Sequence, residues 1–445
     1  MHSKNVAVLL TLSSFLLAAP ALAEKRKPVL NSTLLEKRDF REPEITPESK
    51  QLNRAKEVDR QVRKLFFDQD KLEKIWLQDR SSLFKAASLV RSTRAIKPII
   101  NFYLSKLGTS HCLFTTDEDE SFYYLESLFG ALQKKGNTKE YGVPGFVTGG
   151  AGFPEKTVRY VLAGSAADKA GIEVGDEITS VNGKTEYTYK DCLRAAGTEL
   201  LVSYRSNGLD RRVRLKPEMT DHFAAYLKAM ENSLKTIIRE VEISGKKREV
   251  TLTYIHMYSG GPQVRETLES LLNDKSTSDA LILDLRDGYG GASLTDIDCL
   301  FRNPANYPVF EQRAAGDAKY VQNLCFTRPV VALINSGSRS GKELLAYTLK
   351  KTGRATLVGE CTAGYVVAGC FQNIDEHCAL YIACADCTID GKRLEGVGVE
   401  PDIKSLNENR DAKGYQNQLE VAIKEALRLV AKSETVDKST GAGSQ

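Results

Sequence analysis

The sequence has no marked excess of charge of either sign. Its 62 Lys and Arg residues oppose 58 Asp and Glu residues, which leaves a formal charge of +4 spread along 445 residues. A nucleic-acid or polyanion partner is therefore not indicated. Apolar residues make up 42% and charged residues 27%, a balance that excludes a mainly disordered chain. No internal repeat is visible, and the length is enough for two or three domains.

Long apolar runs are absent after the first 23 residues, so no later stretch is expected to span a bilayer. The start is short and basic up to Lys4, apolar over 6–19, and closes with Ala21-Leu22-Ala23. We interpret residues 1–23 as a secretory signal peptide cleaved after Ala23, because the apolar run is too short for an uncleaved anchor. No cysteine follows that position, which argues against a bacterial lipid anchor. We expect a soluble exported protein, in a bacterial periplasm.

Cysteine is not scarce, and the number of cysteines is odd. Nine thiols in an oxidising compartment leave at least one free or intermolecular, and we expect a disulfide among the others. His377 and Cys378 with Cys384 and Cys387 suggest a zinc site, but residues 378–384 form an apolar, strand-like run in which cysteine can act as a small buried side chain. The sequence does not define the pairing. The nine are Cys112, Cys192, Cys299, Cys325, Cys361, Cys370, Cys378, Cys384 and Cys387.

Composition divides the rest of the chain into four parts. Residues 24–142 begin with a charged, proline-containing arm and continue with a helical pattern over about 49–107, which we interpret as a packing cap. Residues 143–217 consist of short strands and turns. Residues 218–431 alternate strands with helices, and the polar residues 432–445 are predicted to be a disordered tail.

The second part carries its own motif. Capping and turn chemistry predicts a short helix that begins at Ser165 and ends at Gly171, followed by a strand that ends at Asn182-Gly183. Residues 164–172 (GSAADKAGI) and 174–184 (VGDEITSVNGK) together resemble a PDZ domain. Such domains add a C-terminal peptide as a strand and hold its carboxylate in a loop of backbone N–H groups. A closed groove in a mere spacer is the alternative. The matching loop is Gly145, Phe146 and Val147.

The third part predicts a parallel crossover unit. Apolar strands are expected at 279–285, 329–335 and 355–359, with a helix over Ser340 to Lys351 between the last two. We therefore expect a mixed α/β fold, with a helical N-terminal segment, an inserted PDZ-like domain and a C-terminal α/β domain.

Three pieces of the chain could carry chemistry. Gly290 and Gly291 follow a strand, where backbone N–H groups can approach a ligand closely. Ser338 and Ser340 lie at the start of a helix, beside unpaired N–H donors that could stabilise an oxyanion, although either serine could simply cap the helix. His111 follows the helical cap and is a candidate base, whereas a lone histidine is commonly structural.

With the PDZ-like domain, these pieces resemble the C-terminal processing peptidases, also called tail-specific proteases, over about residues 108–403. In that family the nucleophilic serine lies three residues before a helix glutamate, which implies Ser340. The family base is a lysine 25 residues later, and this position is Tyr365. A phenol, with a pKa of about 10, is a poor substitute, so the Ser-Lys dyad is absent. The four motifs are residues 286–291, 336–343, 353–360 and 395–402.

A second resemblance, to the tricorn core protease, supplies another base. That enzyme uses an adjacent Ser-His pair with a second serine and a glutamate, and Ser110, His111 and Glu395 match this pattern. The resemblance implies that His111 takes the proton of Ser340, while Ser110 and Glu395 orient the imidazole. The implied oxyanion hole is the N–H of Gly341 with that of Gly290 or Gly291.

A rival pair is Ser338 and Lys342, which are four residues apart on one helical face. Lys342 would have to be buried to act as a base, because an exposed helix lysine keeps a pKa near 10.

Two functions follow from these patterns. The first is an exported serine endopeptidase that holds substrate C-termini in its PDZ domain and cleaves by acyl-enzyme chemistry. The second is a non-catalytic PDZ scaffold or apolar-ligand carrier on a decayed protease fold, suggested by the missing lysine and by relatives of this fold that resemble retinoid carriers. Neither requires a metal or an organic cofactor. The expected partners are protein or peptide substrates with free C-termini, and the oligomeric state stays open.

Overall fold

The structure is a computed structural model that describes residues 50–133, 139–243, 245–274, 277–301, 310–313, 319–322 and 326–441. The segment interpreted as a signal peptide, residues 1–23, and the arm up to residue 49 lie outside the described residues. Among the described helices, none has the length and hydropathy that a membrane crossing requires.

The N-terminal part is helical up to Ser105, as the sequence predicts, and the helices are followed by the first strand of a small sheet. The helices α1 and α3 pack on each other, and their apolar faces bury Val58, Val62 and Phe84. Ser92 caps α4 by accepting a hydrogen bond from Ala95 N. The elements are α1 (Lys50–Leu65), α2 (Gln69–Lys71), a π-helical turn (Leu72–Trp76), α3 (Leu77–Ser88), α4 (Thr93–Ser105), β1 (Leu113–Thr116), α5 (Glu120–Leu132) and β2 (Tyr141–Gly142).

The middle part is a five-stranded sheet in the order β3-β4-β5-β6-β7 with two short helices. Ser165 caps α6 and Gly171 follows it with φ +76°, while Asn182 and Gly183 turn the chain after β5, so the predicted helix and turn are confirmed. The elements are β3 (Phe146–Gly150), β4 (Phe153–Val161), α6 (Ala166–Lys169), β5 (Glu177–Val181), α7 (Tyr189–Cys192), β6 (Leu200–Ser206) and β7 (Leu209–Leu215).

The C-terminal part is built on a six-stranded sheet in the order β18-β15-β14-β11-β10-β9, parallel except for the β9–β10 hairpin. The predicted crossover β14-α10-β15 is confirmed. The elements are β8 (Met219–Thr220), α8 (His222–Asn232), β9 (Lys235–Ile243), β10 (Lys246–His256), α9 (Val264–Asp274), β11 (Ala280–Asp284), a 3-10 helix (Leu294–Leu300), β12 (Phe310–Arg313), β13 (Lys319–Gln322), β14 (Val330–Ile334), α10 (Gly341–Lys351), β15 (Ala355–Gly359), β16 (Val367–Asp375), β17 (Cys378–Asp386), β18 (Ile403–Lys404) and α11 (Ala412–Gly441).

Apolar side chains cover both faces of this sheet. One face packs on α9 and α10, and the other packs on α11 through Ala422, Ile423 and Ala426. The strands β11 and β14 are buried throughout, which explains why they are continuous apolar runs in the sequence.

The last helix corrects one expectation. Residues 432–441 continue α11, although the sequence analysis predicts a disordered tail there. Starting a helix is unfavourable in free energy, but extending an existing one is not. Because α11 is already held by the packing of Ala426 and Val430, residues 432–441 can extend it.

A second sheet joins the N-terminal and C-terminal parts. Its order is β1-β17-β16, with Leu113 opposite Tyr381 and Phe114 opposite Leu380. A disulfide between Cys370 on β16 and Cys384 on β17 confirms the prediction that at least one pair forms. This sheet fixes β1 relative to the C-terminal part, and therefore fixes the residues that precede β1.

Candidate active site

Ser340 lies at the turn between β14 and α10, at the carboxyl end of the parallel strands. Its φ of 58° is unusual for a residue other than glycine. Two contacts hold this backbone: Ser340 N donates to the carbonyl oxygen of Tyr365 (2.9 Å) and to Glu343 Oε1 (3.2 Å). A strained turn kept by such contacts occurs where a nucleophile must project from a strand-to-helix junction.

His111 reaches the same point from the residues before β1. Its Nε2 lies 3.2 Å from Ser340 Oγ, and its Nδ1 lies 2.7 Å from Ser110 Oγ. The ring packs against Tyr381, with centroids 5.1 Å apart. His111 itself has φ 59°, so a second non-glycine residue of the site occupies the left-handed region.

Glu395 completes a continuous chain of hydrogen bonds. Ser110 Oγ donates to Glu395 Oε2 (2.9 Å) and Ser110 N donates to Oε1 (2.7 Å). Val366 N donates to Oε2 as well (2.7 Å). Ser110 Oγ uses its hydrogen to donate to the Glu395 carboxylate, so towards His111 it can only accept, from Nδ1–H. The hydrogen bonds therefore select the tautomer with the proton on Nδ1. In this tautomer Nε2 is free to accept the proton of Ser340.

The electrostatics keep the imidazole neutral. Burial, and secondarily the charge of Arg339, lowers the pKa of His111 to about 3. A neutral imidazole at neutral pH is the form that a general base requires.

The glycines predicted for the oxyanion hole lie against the serine turn. A Cβ on Gly290 would lie 2.4 Å from Ser340 Cβ, and a Cβ on Gly341 would lie 2.3 Å from the carbonyl oxygen of Ala292. Gly291 has φ +82°. All three line the same cavity as Ser340 and His111, and at Gly290 the close approach to Ser340 leaves no room for a side chain.

The cavity has a volume of about 680 Å³. Its lining includes the Ser340–His111–Ser110–Glu395 chain. Apolar side chains line it as well, among them Leu128 and Phe129 of α5 and Tyr381 of β17. Such a space can hold a peptide side chain next to the reactive hydroxyl.

Two protein-family models match parts of this chain. Residues 251–405 match the model of Peptidase family S41, and residues 157–200 match the model of a PDZ domain. The chain contains an S41 peptidase region and a PDZ domain. The resemblance to the C-terminal processing peptidases and the mixed α/β fold are thereby confirmed.

Individual relatives are distant. Carboxyl-terminal-processing peptidase 3, chloroplastic, of Arabidopsis thaliana is 24% identical over 334 residues, 71% of this chain and 61% of that protein. The carboxyl-terminal-processing protease of Synechocystis sp. is 25% identical over 288 residues, 62% of this chain and 65% of that protein. This chain therefore spans less than two thirds of the length of these relatives. The structure of mature CPAF complexed with lactacystin shares the fold (TM-score 0.50, 14% identity, 85% of this chain and 99% of that one).

In the S41 region, Tyr365 occupies the position at which the sequence analysis expects the lysine of the C-terminal processing peptidases. The backbone carbonyl oxygen of Tyr365 accepts from Ser340 N (2.9 Å), and the residue is 48% exposed. Its N–H donates to Glu343 Oε1 (2.7 Å). Tyr365 therefore helps to hold the serine turn through its backbone.

The two side chains of the rival pair bond to different backbone groups. Ser338 Oγ donates to the carbonyl oxygen of Leu285 (2.8 Å), whereas Lys342 Nζ donates to the carbonyl oxygens of Asp287 and Met257 (3.4 Å to Met257). Lys342 is fully buried, the condition under which it could act as a base, and burial lowers its pKa to about 7. Both side chains are committed to backbone groups of the S41 core.

Sequence reasoning uses Glu343 only to locate Ser340 and assigns it no role of its own. This buried carboxylate accepts hydrogen bonds from Ser340 N, Tyr365 N, Gly364 N (2.7 Å) and Thr362 Oγ1 (2.5 Å), and so joins the start of α10 to the loop that follows β15. Burial raises its pKa. The signal was present, because Ser340 and Glu343 have the spacing of a capping box.

The PDZ loop is placed at an edge. The strand β3, which contains Phe146 and Val147, is the first strand of its sheet, and strand addition needs such an edge. Gly145 has φ +90°, and a Cβ there would lie 2.1 Å from Ser165 Cβ, so the loop requires glycine.

The cluster around His377 is not arranged as a metal site. Within the described ranges no three His, Cys, Asp or Glu side chains come together as ligands. Cys384 is disulfide-bonded, and His377 Nδ1 lies 2.9 Å from Asp117 Oδ2.

Proposed function

We propose that this protein is an exported serine endopeptidase that cleaves peptide bonds through an acyl-enzyme, with Ser340 as nucleophile and His111 as general base. One observation carries the proposal: the unbroken hydrogen-bond chain Ser340–His111–Ser110–Glu395 at the wall of a cavity. Membership of the matched region in a peptidase family supports it.

The chemistry follows from these contacts. Ser340 Oγ attacks the scissile carbonyl carbon while His111 Nε2 takes its proton, and the imidazolium is stabilised through Ser110 by Glu395. Backbone N–H groups at Gly341 and at Gly290 or Gly291 would stabilise the oxyanion. The imidazolium then protonates the leaving amine, and water, deprotonated by the same imidazole, releases the acyl group and restores Ser340.

The PDZ domain suggests how substrates are chosen. We propose that the loop of Gly145, Phe146 and Val147 holds the terminal carboxylate of a substrate while β3 pairs with its last residues. The edge position of β3 supports this proposal.

A second candidate is a non-catalytic carrier or scaffold. The apolar walls at Leu128, Phe129 and Tyr381, with Tyr365 where a lysine is expected, favour it. A carrier does not need a neutral histidine within hydrogen-bond distance of a serine, as His111 is of Ser340. The first proposal therefore explains more of the site.

Cleavage of an unfolded protein by the purified mature enzyme tests the choice. We expect Ser340→Ala and His111→Ala to abolish turnover, and the matched variant Ser338→Ala to keep it in the folded fraction. A fluorophosphonate probe should label the wild type and Ser338→Ala but not Ser340→Ala. Turnover that survives Ser340→Ala would overturn the assignment, and a folded wild type that is neither active nor labelled would favour the carrier.

The role of the PDZ loop needs a separate arm. Substrates with a free C-terminus should be cleaved faster than the same substrates amidated at the C-terminus. Equal rates would show that the loop does not read the carboxylate, while leaving the catalytic assignment intact.

A further inference from the structure

Arg339, the residue before the nucleophile, is a cation at the cavity wall that the proposed chemistry does not use. Its half-buried side chain lines the cavity together with Ser340 and His111. The guanidinium lies over the ring of Tyr289, 4.3 Å from its centroid, and its Nε donates to the carbonyl oxygen of Gly288 (3.2 Å). These two contacts fix the plane of the guanidinium at the floor of the cavity.

The guanidinium has no carboxylate partner in the described part of the chain. No Asp or Glu oxygen there lies within 4 Å of it, so the hydrogens on its two terminal nitrogens can serve a ligand. An arginine presents five N–H donors in a fixed plane, and one donor is used by Gly288.

The acids nearest to the cavity are already occupied. The oxygens of Glu120 accept from Tyr226 OH (2.7 Å) and from Tyr289 OH, and burial raises the pKa of Glu120. The oxygens of Glu395 accept from Ser110 and Val366. The cavity therefore presents one cation, surrounded by apolar walls, with no neighbouring anion within bonding distance.

We propose that Arg339 is a specificity-determining residue that binds a carboxylate of the substrate close to the scissile bond, an inference that rests on the proposed peptidase function. The geometry points to a planar anion, because the fork of terminal N–H groups matches the two oxygens of a carboxylate. Two parts of a peptide carry this group, the side chain of Asp or Glu and the chain terminus.

Cleavage mapping gives the position of the carboxylate. An unfolded protein digested by the wild type should yield sites with Asp or Glu, or the chain end, within one or two residues of the cut bond. Matched peptides then compare Glu with Gln at that position, and a free with an amidated terminus, which separates the two sources.

We expect the wild type to prefer the carboxylate peptide by about tenfold or more in kcat/KM, since hydrogen bonds to a charged group are that strong. Arg339→Gln should lose the preference and cleave the Glu and Gln peptides with equal kcat/KM. Arg339→Lys should keep part of the preference. Arg428→Gln removes an exposed arginine of α11 and is the control for net charge.

Binding to the inactive variant Ser340→Ala makes the test independent of turnover. The Glu peptide should bind Ser340→Ala more tightly than the Gln peptide, and the double variant Ser340→Ala/Arg339→Gln should bind both equally. Equal binding by Ser340→Ala, or a preference that survives Arg339→Gln, overturns the role of Arg339. If Ser340→Ala prefers the Glu peptide but the folded wild type cleaves neither peptide, the role of Arg339 is supported and the proposed peptidase function is overturned.

Discussion

At the scale of single residues, the base is controlled by burial and by one neighbouring charge. The pKa of His111 lies near 3 because burial, and then Arg339, disfavours the imidazolium. A base must be deprotonated, so activity is lost only when the pH falls below this pKa. We expect kcat/KM on an uncharged peptide to stay high well below pH 6.5, the ordinary pKa of histidine.

Arg339→Gln should move this acid limb to higher pH, because removing a nearby positive charge favours the protonated imidazole and raises its pKa. Rate measurements from about pH 2.5 to pH 8, with circular dichroism at each pH to verify folding, would show the shift. Arg428→Gln should leave the limb in place. A wild-type limb near pH 6.5 that Arg339→Gln does not move would contradict this account.

Residues also show which parts of the site can be predicted from sequence. Local patterns alone make Ser340 and His111 candidates, whereas Ser110 and Glu395 become candidates only through the resemblance to the tricorn core protease. The burial of Lys342 was not predictable, because it depends on carbonyl groups of two distant loops, at Met257 and Asp287.

At the scale of elements, the strands predicted at 279–285, 329–335 and 355–359 agree with β11, β14 and β15 of the structure. They were predictable because buried parallel strands are continuous apolar runs in the sequence. The tail was missed because polar residues do not reveal a helix that propagates from a packed segment. The exact partner of each cysteine was equally hidden, since β16 and β17 pair through a register that depends on the fold.

The Cys370–Cys384 disulfide should stabilise the β16–β17 hairpin. A link across 14 residues is worth about 3 kcal/mol through the entropy of the unfolded chain. Cys370→Ala/Cys384→Ala should therefore lower the free energy of unfolding by roughly that amount, measured by urea denaturation of the oxidised protein. Cys387→Ala, which removes a free thiol, should change it little, and an unchanged midpoint in the double variant would contradict the prediction.

At the scale of the whole molecule, one buried ion pair joins the PDZ domain to the S41 region. Arg159 on β4 lies 3.8 Å (Nε to Oδ1) from Asp287, and the two side chains are 8% and 1% exposed. Asp287 begins the loop that leads to Gly290, and Asn335 Nδ2 donates to its other oxygen (2.9 Å). This contact links β4 to the loop that carries the proposed oxyanion hole, and we expect it to couple the position of the PDZ domain to that loop.

Removing Arg159 would take away one of the two cations near the buried Asp287 carboxylate, the other being Lys342, at a cost of up to about 3–5 kcal/mol. We expect the free energy of unfolding of Arg159→Met to fall by this amount. Its kcat should fall while its KM stays nearly unchanged, because the loop at Gly290 shifts while the walls that bind substrate remain in place. Arg205→Met is the matched control, since the ion pairs of Arg205 with described residues, Glu177 and Asp210, are exposed and worth up to about 1 kcal/mol.

A double-mutant cycle with Asp287→Asn isolates the coupling. If the pair transmits the position of the PDZ domain, Arg159→Met should lower kcat strongly in the wild-type background and only weakly in Asp287→Asn, where no charge remains to be compensated. Additive effects on kcat would mean that Arg159 acts only through the stability of its own domain. In that case a shift of the PDZ domain would leave the oxyanion loop in place, and substrate capture and catalysis would be independent.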